Sequence, residues 1–265
     1  MKCIKADLPR TLDFAEVHII ADLHIGDVHS DRSIWQKRID HVRDTENAYC
    51  ILNGDICNWA TRNHVSDPYA EMMSPMEQID TFVGLFRPIK EKILAVVPGN
   101  HEMRAYKTEG VDITKLACIQ LGIEDRYSDT AALLFVRLGE QTRGTKETSG
   151  SGEVRKVCYV IYTVHGTGGG RKEGAKAIRL ADMASIVDAD IYIHSHTHLP
   201  MVMKQSFYRT DVRNSTAQAV DKLFVNTGAT LAYGGYAQAN EFKPATMQTP
   251  VIYLSGKRKE STAKL

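Results

Sequence analysis

The chain has 265 residues, of which 43% are hydrophobic and 25% are charged, and its formal net charge is +1. This balance excludes a uniformly basic, nucleic-acid-coating protein, although it is compatible with a local basic groove. No apolar run approaches the roughly 18 residues that a membrane helix needs, and the first residues lack the apolar centre of a secretory signal. We therefore expect a cytoplasmic protein without a membrane partner.

The cysteines support the same compartment. They are odd in number, scattered, and contain no CxxC pair, and several lie in or beside apolar strand-like runs. Such a pattern predicts reduced, mostly buried thiols rather than a disulfide framework. The five residues are Cys3, Cys50, Cys57, Cys118 and Cys158.

The first half of the chain alternates between apolar β-branched runs and helix-like stretches. The runs lie at 17–26, 48–55 and 92–102. The helix-like stretches lie at 33–43, 72–89 and 111–121. Strand and helix in alternation predict a mostly parallel sheet that is covered by helices.

The second half is richer in strands and has one convincing helix, at 172–187. Its strand-like runs are at 131–139, 156–166, 190–196, 222–228 and 250–255. This half predicts a second, partly antiparallel sheet that packs on the first. The predicted fold class is α/β, a two-sheet αββα sandwich in a single domain over 1–265 with its core at about 15–256.

Three polar segments are predicted to lie outside the regular elements. Residues 140–156 are rich in Gly, Ser and Thr between two strands, which is typical of a long loop. Residues 208–222 are interpreted as a second loop. The charged tail 257–265 lacks apolar periodicity, so we expect it to fray.

Polar side chains suited to a divalent cation follow five of the predicted strands. Because ligands bind at the carboxyl ends of strands in open α/β sheets, these side chains are candidates for one shared site. Carboxylate, imidazole and amide groups suit borderline divalent ions. Each motif is weak alone, but the complete series predicts a metal centre. The residues are Asp22, His24, Asp55, Asn100, His101, Glu102, His165, His196 and His198.

The order of these motifs resembles the calcineurin-like metallophosphoesterase family, in particular its small bacterial and phage members that are repair-exonuclease-like. The family's D-x-H, GD, GNH(E/D), H and GH-x-H motifs align with residues 17–200. One position departs from the pattern, since Ser195 replaces the glycine before the last histidine pair; a small residue still fits there. His194, the additional histidine of "HSHTH", is interpreted as a support for the ligands rather than as a ligand.

The resemblance implies a dinuclear metal site at the carboxyl ends of the strands. Asp22, His24 and His198 would hold one ion, and Asn100, His165 and His196 the other. Asp55 would bridge the two ions, and a metal-bridging hydroxide would attack the phosphorus. The implied ion is Mn²⁺, with iron, zinc or nickel as alternatives.

The resemblance also implies roles around the metals. His101 would protonate the leaving alkoxide, and Glu102 would orient His101 or accept its second proton. Arg104, Asn58 and His64 are candidate substrate contacts, although a solvated helix face explains Arg104 equally well.

The implied function is metal-dependent phosphoester hydrolysis. The favoured substrate is a diester in DNA, RNA or a nucleotide, which makes the chain a phosphodiesterase or nuclease. A phosphomonoesterase, including a protein phosphatase, is the alternative. A non-enzymatic scaffold is a remote third reading, because every ligand position is intact.

Two further sequence features could contribute to function, but a structural interpretation is preferred for each. The glycine-rich stretch 166–174 precedes a helix and could bind an anion there, but a flexible loop explains it better. Trp59 could stack on a base, but partial burial in the core is preferred.

Overall fold

The computed structural model describes residues 1–60, 68–141, 155–168, 170 and 172–265. In this part of the chain, eleven strands form two sheets. They are β1 Lys2–Asp7, β2 Phe14–Ile20, β3 Ala48–Asn53, β4 Ile93–Val97, β5 Ala131–Leu138, β6 Val157–Val164, β7 Ile191–His194, β8 Met201–Asp211, β9 Thr216–Asn226, β10 Val251–Ser255 and β11 Ser261–Lys264.

The helices lie mainly between strands of the first half, as the alternation predicted. They are α1 Arg32–Asp44, α2 Pro75–Phe86, α3 Glu102–Glu109, α4 Ile113–Leu121, α5 Glu173–Asp182 and the short α6 Gly235–Ala239. Three 3₁₀ turns, Arg87–Lys92, Glu124–Arg126 and Met183–Ser185, complete the helical segments of the described residues. None of these helices has both the length and the hydrophobicity needed to cross a bilayer.

Local sequence explains where the helices begin and end. The carboxylate of Asp31 accepts from the backbone N–H groups of Ser33 and Ile34 and starts α1. Ser74 and Glu77 form a capping box at α2. Gly122 ends α4 in the left-handed conformation, at φ 73°, which glycine adopts without steric cost.

The two sheets have the predicted mixture of directions. The five-stranded sheet has the order β11-β10-β2-β3-β4, in which β2, β3 and β4 are parallel and the other neighbours are antiparallel. The six-stranded sheet has the order β1-β5-β6-β7-β9-β8, and it pairs β5 with β6 and β8 with β9 in antiparallel fashion. The partly antiparallel second sheet is therefore confirmed, but β10, which was predicted to belong to it, pairs with β2 in the five-stranded sheet instead.

The residues of β2 show how the layers form. Val17 and Ile19 point into a buried cluster shared by both sheets, whereas Ile20 points to a second cluster that includes Trp35 of α1. Because side chains alternate along a strand, one face of the sheet meets the other sheet and the opposite face meets helices. A third cluster packs α5 on the far side of the six-stranded sheet, around Leu180. The αββα sandwich is confirmed.

The predicted loop at 208–222 is wrong. Its residues belong to β8 and β9, which pair from Met201↔Asn226 to Asp211↔Thr216 around a turn at 212–215. The outer part of this hairpin is exposed on both faces, so it lacks the apolar alternation that marks a half-buried strand. The turn-forming residues of this segment therefore led to the prediction of a loop.

The predicted fraying of the tail is also wrong. Strand β11 pairs with β10 in antiparallel register, and the hydroxyl of Tyr159 contacts the carbonyl oxygens of Ser255, Arg258 and Glu260 at 2.8–2.9 Å. A backbone ladder needs no apolar side chains, which is why a charged segment could form it. The core thus extends beyond the expected limit near 256, and it also begins before residue 15, because β1 pairs with β5 and buries Ile4.

The loop predicted at 140–156 lies largely outside the described residues, which omit 142–154. At its two ends, the N–H of Gln141 donates to the carbonyl of Arg155 over 2.9 Å, which continues the pairing of β5 with β6. The assignment of one domain over the chain stays a prediction.

Candidate metal centre

The loops that follow β2 and β3 are joined by backbone hydrogen bonds. The N–H of Asp22 donates to the carbonyl of Gly54, and the N–H of His24 donates to the carbonyl of Asp55, each over 3.0 Å. Glycine is required at Gly99 in the next loop, since a Cβ there would lie 2.0 Å from Oδ1 of Asp55. The backbone contacts therefore bring the ends of neighbouring parallel strands to one point.

The first group of predicted ligands consists of Asp22, His24 and His198, whose ligand atoms all lie within 4.8 Å of one another. Nε2 of His198 lies 3.2 Å from Oδ1 of Asp22. Asp22 and His24 are buried, and His198 is partly exposed at the rim. This group matches the set expected for one ion.

The second group consists of Asp55, His165 and His196, within the same 4.8 Å limit. Nε2 of His165 lies 3.1 Å from Oδ2 of Asp55 and 3.2 Å from Oδ1 of Asn100. Oδ2 of Asp55 is also 4.0 Å from Nε2 of His24 in the first group. Asp55 therefore stands between the two groups, as a bridging carboxylate must.

The hydrogen bonds of the histidines fit a cation. Nδ1 of His24 lies 3.3 Å from Oδ1 of Asn58, and Nδ1 of His165 lies 2.7 Å from the carbonyl of Asn53. Each contact leaves Nε2 facing the cluster, as in metal-binding histidines. Nε2 of His24 is buried and has no hydrogen-bond partner in the described part of the chain. A metal ion would satisfy this atom.

The charges in the cluster are strongly coupled. Burial opposes ionisation of Asp55, but the neighbouring histidines, His165 first, hold its pKa well below the usual value. Burial also favours a neutral His165, yet Asp55 and Asp22 raise its pKa to about 10. For His24, burial and the nearby His101 lower the pKa to about 3. The buried carboxylates of Asp22 and Asp55 thus create a strong preference for positive charge in the space between the clustered side chains.

The backbone of the predicted ligands is unusual. Five of the seven have a positive φ, between 49° and 63°, in the left-handed region that non-glycine residues rarely adopt. Such strain concentrates at functional sites, where it directs side chains to one point. The five residues are Asp22, His24, Asp55, His196 and His198.

Glu102 does not have the expected role. Its carboxylate accepts from the backbone N–H groups of Asp55 (3.0 Å), Gly99 (2.8 Å) and Cys57 (2.8 Å). Nδ1 of His101 instead lies 2.6 Å from the carbonyl of Asn58. The prediction that Glu102 orients His101 is corrected: the carboxylate fixes the two loops, because its buried oxygens have three amide donors within reach.

The three predicted substrate contacts have different outcomes. Asn58 is only 4% exposed, and its amide binds His24, a predicted ligand, and Glu71, so it is directed into the protein. Arg104, on α3, donates to Nε2 of His101 over 3.0 Å and to the carbonyl of Asn58 over 3.2 Å. His64 lies outside the described residues.

His194 is buried beside the site, and its role as a support for the ligands stays a prediction. Its Nδ1 lies 2.9 Å from Oδ1 of Asn226, and its ring packs so closely on Gly166 that a Cβ there would meet Nε2 at 2.1 Å. The replacement of glycine by Ser195 is accommodated, because the serine is fully buried and its hydroxyl accepts from Nδ2 of Asn53 over 2.7 Å.

Sequence reasoning missed three residues that contact the predicted ligands or the backbone between them. The hydroxyl of Thr227 donates to Oδ2 of Asp22 over 3.2 Å, and Nζ of Lys176 donates to the carbonyl of Thr197 over 2.8 Å, between His196 and His198. Asn53, whose carbonyl contacts His165, is the third. Thr227 and Asn53 stand at the ends of strands, so the same strand-end rule could have found them; no local signal marks Lys176.

Buried imidazoles and carboxylates thus gather at the strand ends of an αββα sandwich in groups that could hold metal ions. A sequence model described as calcineurin-like phosphoesterase matches residues 23–200. The match covers more than half of the chain, which therefore belongs to the calcineurin-like phosphoesterase family. It is a hydrolase that acts on phosphoester bonds and depends on metal ions.

Similar solved structures share little sequence with this chain. A predicted phosphoesterase from Streptococcus pneumoniae TIGR4 is 14% identical, with a TM-score of 0.37, over 96% of this chain and 99% of its own. A single mutant of Vps29 from Entamoeba histolytica is 15% identical, with a TM-score of 0.40, over 94% and 89%. Wild-type Vps29 complexed with zinc, from the same organism, is 15% identical, with a TM-score of 0.37, over 91% and 85%. No curated protein matched the sequence.

Proposed function

We propose that the chain is a phosphodiesterase or nuclease that hydrolyses a diester in nucleic acid or a nucleotide. One ion would be held by Asp22, His24 and His198, and the other by Asn100, His165 and His196, with Asp55 shared. The proposed ions are Mn²⁺, as the resemblance to the family implies, and the imidazole donors also suit iron, zinc or nickel. When bound, two such ions supply Lewis-acid catalysis and neutralise developing negative charge.

His101 is the proposed proton donor. Its Nε2 lies 3.8 Å from Oδ2 of Asp55, so the ring faces the centre of the ligand cluster. Its Nδ1 is held by the carbonyl of Asn58, an arrangement in which Nδ1 donates and Nε2 is directed to the reacting group. From there, a protonated Nε2 can give its proton to a leaving alkoxide.

Arg104 is the proposed phosphate contact. Its guanidinium already lies 3.0 Å from Nε2 of His101, and a phosphate oxygen near that atom would be within reach of the same group. Burial lowers the pKa of His101 and Arg104 lowers it further, although Asp55 opposes both. A bound phosphate would shield His101 from the arginine and favour its protonated form.

The observation that carries the preference for a diester is the open rim of the cluster. The side chain of His198 is 33% exposed and that of His101 is 14% exposed, whereas the carboxylates beneath them are buried. A diester needs space for a substituent on each side of phosphorus, and a partly exposed rim supports the proposal of such a substrate. The exposed position also suits a polymer that cannot enter a closed pocket.

The test compares bis-p-nitrophenyl phosphate with p-nitrophenyl phosphate in Mn²⁺, since both release the same leaving group. We expect kcat/KM to be at least about 10-fold higher for the diester, a difference of about 1.4 kcal/mol in transition-state stabilisation. The Asp55→Asn variant, purified in parallel, measures contaminating activity. A preference for the monoester would overturn the proposal in favour of a phosphomonoesterase.

A cytoplasmic location is part of the proposal. All five thiols are free of disulfides, with Cys50, Cys57 and Cys118 buried. Reduced thiols of this kind suit a compartment that keeps cysteines reduced.

A further inference from the structure

A second cluster of polar side chains lies on the helix-facing side of β2. Glu16 and His18 alternate with Val17 and Ile19, so they point away from the interior between the sheets. Strand β2 is the central strand of its sheet, where apolar residues are expected on both faces. Yet the side chains of Glu16 and His18 are only 16% and 7% exposed. Two adjacent polar residues on this face need a physical explanation.

Helix α1 adds a third group. Nε2 of His41 lies 2.8 Å from Oε2 of Glu16, and Nε2 of His18 lies 3.2 Å from the same oxygen. The two imidazole rings are 4.9 Å apart. The ligand atoms of the three residues therefore all lie within 4.8 Å of one another.

These contacts are hydrogen bonds in the structure, and the same three ligand atoms are close enough together to share one metal ion. In tetrahedral zinc sites the metal lies roughly 2.0–2.1 Å from nitrogen and oxygen, so neighbouring ligand atoms are about 3.3 Å apart. The two contacts to Glu16 come close to this separation. Two imidazoles and one carboxylate are also a known ligand set for zinc. The side chain of His41 is 47% exposed, which leaves a route for an ion and a position for water.

The protonation states of the buried members suit a cation. Burial lowers the pKa of His18, which keeps its imidazole in the neutral form that binds metals. The two histidines hold the pKa of Glu16 below its usual value although burial opposes them, so the carboxylate is ionised. The charged group that opposes an ion is Arg38, on the same helix as His41, whose positive charge also lowers the pKa of His18.

We propose that Glu16, His18 and His41 bind one Zn²⁺ ion and that this ion ties α1 to β2. The site is separate from the candidate active site, because none of its three residues belongs to the groups of predicted ligands there. It is independent of the proposed substrate. Its expected role is structural, since it joins residues of a strand and a helix.

The experiment compares the Zn²⁺ content of the wild-type chain and of the His41→Ala variant after equilibrium dialysis against Zn²⁺, measured by mass spectrometry. We expect the variant to lose one ion per chain. The matched control is Lys37→Ala, an exposed position one turn earlier on α1, which should retain the wild-type content. Equal zinc content in the wild type and His41→Ala would overturn the proposal.

A second readout separates this site from the active site. Added Zn²⁺ should raise the melting temperature less in His41→Ala than in the wild type, because binding to the folded state stabilises it. Hydrolysis of a nitrophenyl ester with Mn²⁺ should be the same in both. The Glu16→Gln variant should lose the same ion. If Glu16→Gln bound as much zinc as the wild type, the cluster would be a hydrogen-bonded group and not a metal site.

Discussion

The backbone N–H of His196 donates to Oδ2 of Asp22 over 3.3 Å, although 174 residues separate the two. Asp22 follows β2 in one sheet, and His196 follows β7 in the other. The hydrogen bond therefore joins the two sheets at the candidate metal centre. The hydroxyl of Thr227 binds the same oxygen, which strengthens the connection. A change in the packing of the sheets would alter both groups of predicted ligands together.

Asp55→Asn should abolish most activity and leave the fold intact. The neutral amide cannot offset the charge of two ions, so we expect both to bind more weakly and turnover to fall at least about 100-fold, beyond the loss typical of supporting residues. Metal content, hydrolysis of bis-p-nitrophenyl phosphate and thermal melting measure the three effects. The exposed Asp129→Asn is the control. Full activity of Asp55→Asn would exclude a shared carboxylate.

His101→Asn should retain both metals and lose activity according to the leaving group. General acid catalysis contributes roughly 10²–10⁴-fold. A ribose oxygen needs a proton more than nitrophenolate does, so the loss should be large on a nucleotide diester and smaller on nitrophenyl esters. Parallel rate and metal measurements, with chemistry rate-limiting, check this. Equal losses would indicate phosphate positioning, and a lost ion would make His101 a ligand.

Glu102→Gln should destabilise the loops that carry Asp55 and Gly99. The glutamine amide would direct N–H donors at backbone N–H groups that the carboxylate now accepts from, leaving at least one buried donor unsatisfied. The expected cost is about 1–3 kcal/mol, with a lower melting temperature and lower activity. Glu109→Gln, on the same helix and exposed, is the control. An unchanged melting temperature would contradict the assigned contacts.

The thiols should differ sharply in reactivity. Cys3 is exposed, whereas burial raises the pKa of Cys50 and of Cys118 to about 12 and that of Cys57 well above its usual value. Because the thiolate is the reactive form, an alkylating reagent at pH 8 should label Cys3 first and the three buried thiols only after unfolding. Mass spectrometry after timed quenching identifies each site. Rapid native labelling of Cys57 would show that its loop is open.

A chain that ends at Gly256 should be less stable than the full chain. Removal of β11 exposes the edge of β10 and takes away the carbonyl groups of Arg258 and Glu260 that contact Tyr159. We expect a loss of about 2–4 kcal/mol, from a few hydrogen bonds of roughly 1 kcal/mol each. Chemical denaturation measures it, with Lys257→Ala in the full chain as the control. Equal stability would mean that β11 contributes nothing.

Sequence reasoning predicted the sandwich and the residues of the metal centre for the same physical reason. Strands such as β2 and β3 are buried on both faces, which leaves apolar runs that are easy to read. Their polar ends then stand out, as Asp22 and Asp55 do. The outer part of the β8–β9 hairpin and β11 were missed because neither buries an apolar face, so only their backbone pairing defines them.

The roles of Glu102 and Asn58 could not be read from the sequence. Their adjacency to His101 and Asp55 in the chain suggested direct roles in catalysis, but side-chain direction depends on how the loops turn. Glu102 begins α3 and points back to the loop after β3, and Asn58 points to His24. A sequence motif identifies which residues gather at a site, whereas the role of each residue depends on the direction of its side chain in the folded structure.

The left-handed backbone of five predicted ligands limits how many destabilising substitutions the rest of the chain can tolerate before the protein unfolds. A left-handed backbone raises the free energy of the folded state by roughly 1–2 kcal/mol for each such residue. The five residues together lower the stability of the fold by about 5–10 kcal/mol, which is comparable to the net stability of a whole domain. Stabilising substitutions in the distant core would therefore raise the free energy of unfolding without changing the site. Glycine at position 22 or 55 would relieve the strain of the left-handed backbone, but it would also remove a predicted carboxylate ligand. The strain therefore cannot be removed in this way without loss of the metal site.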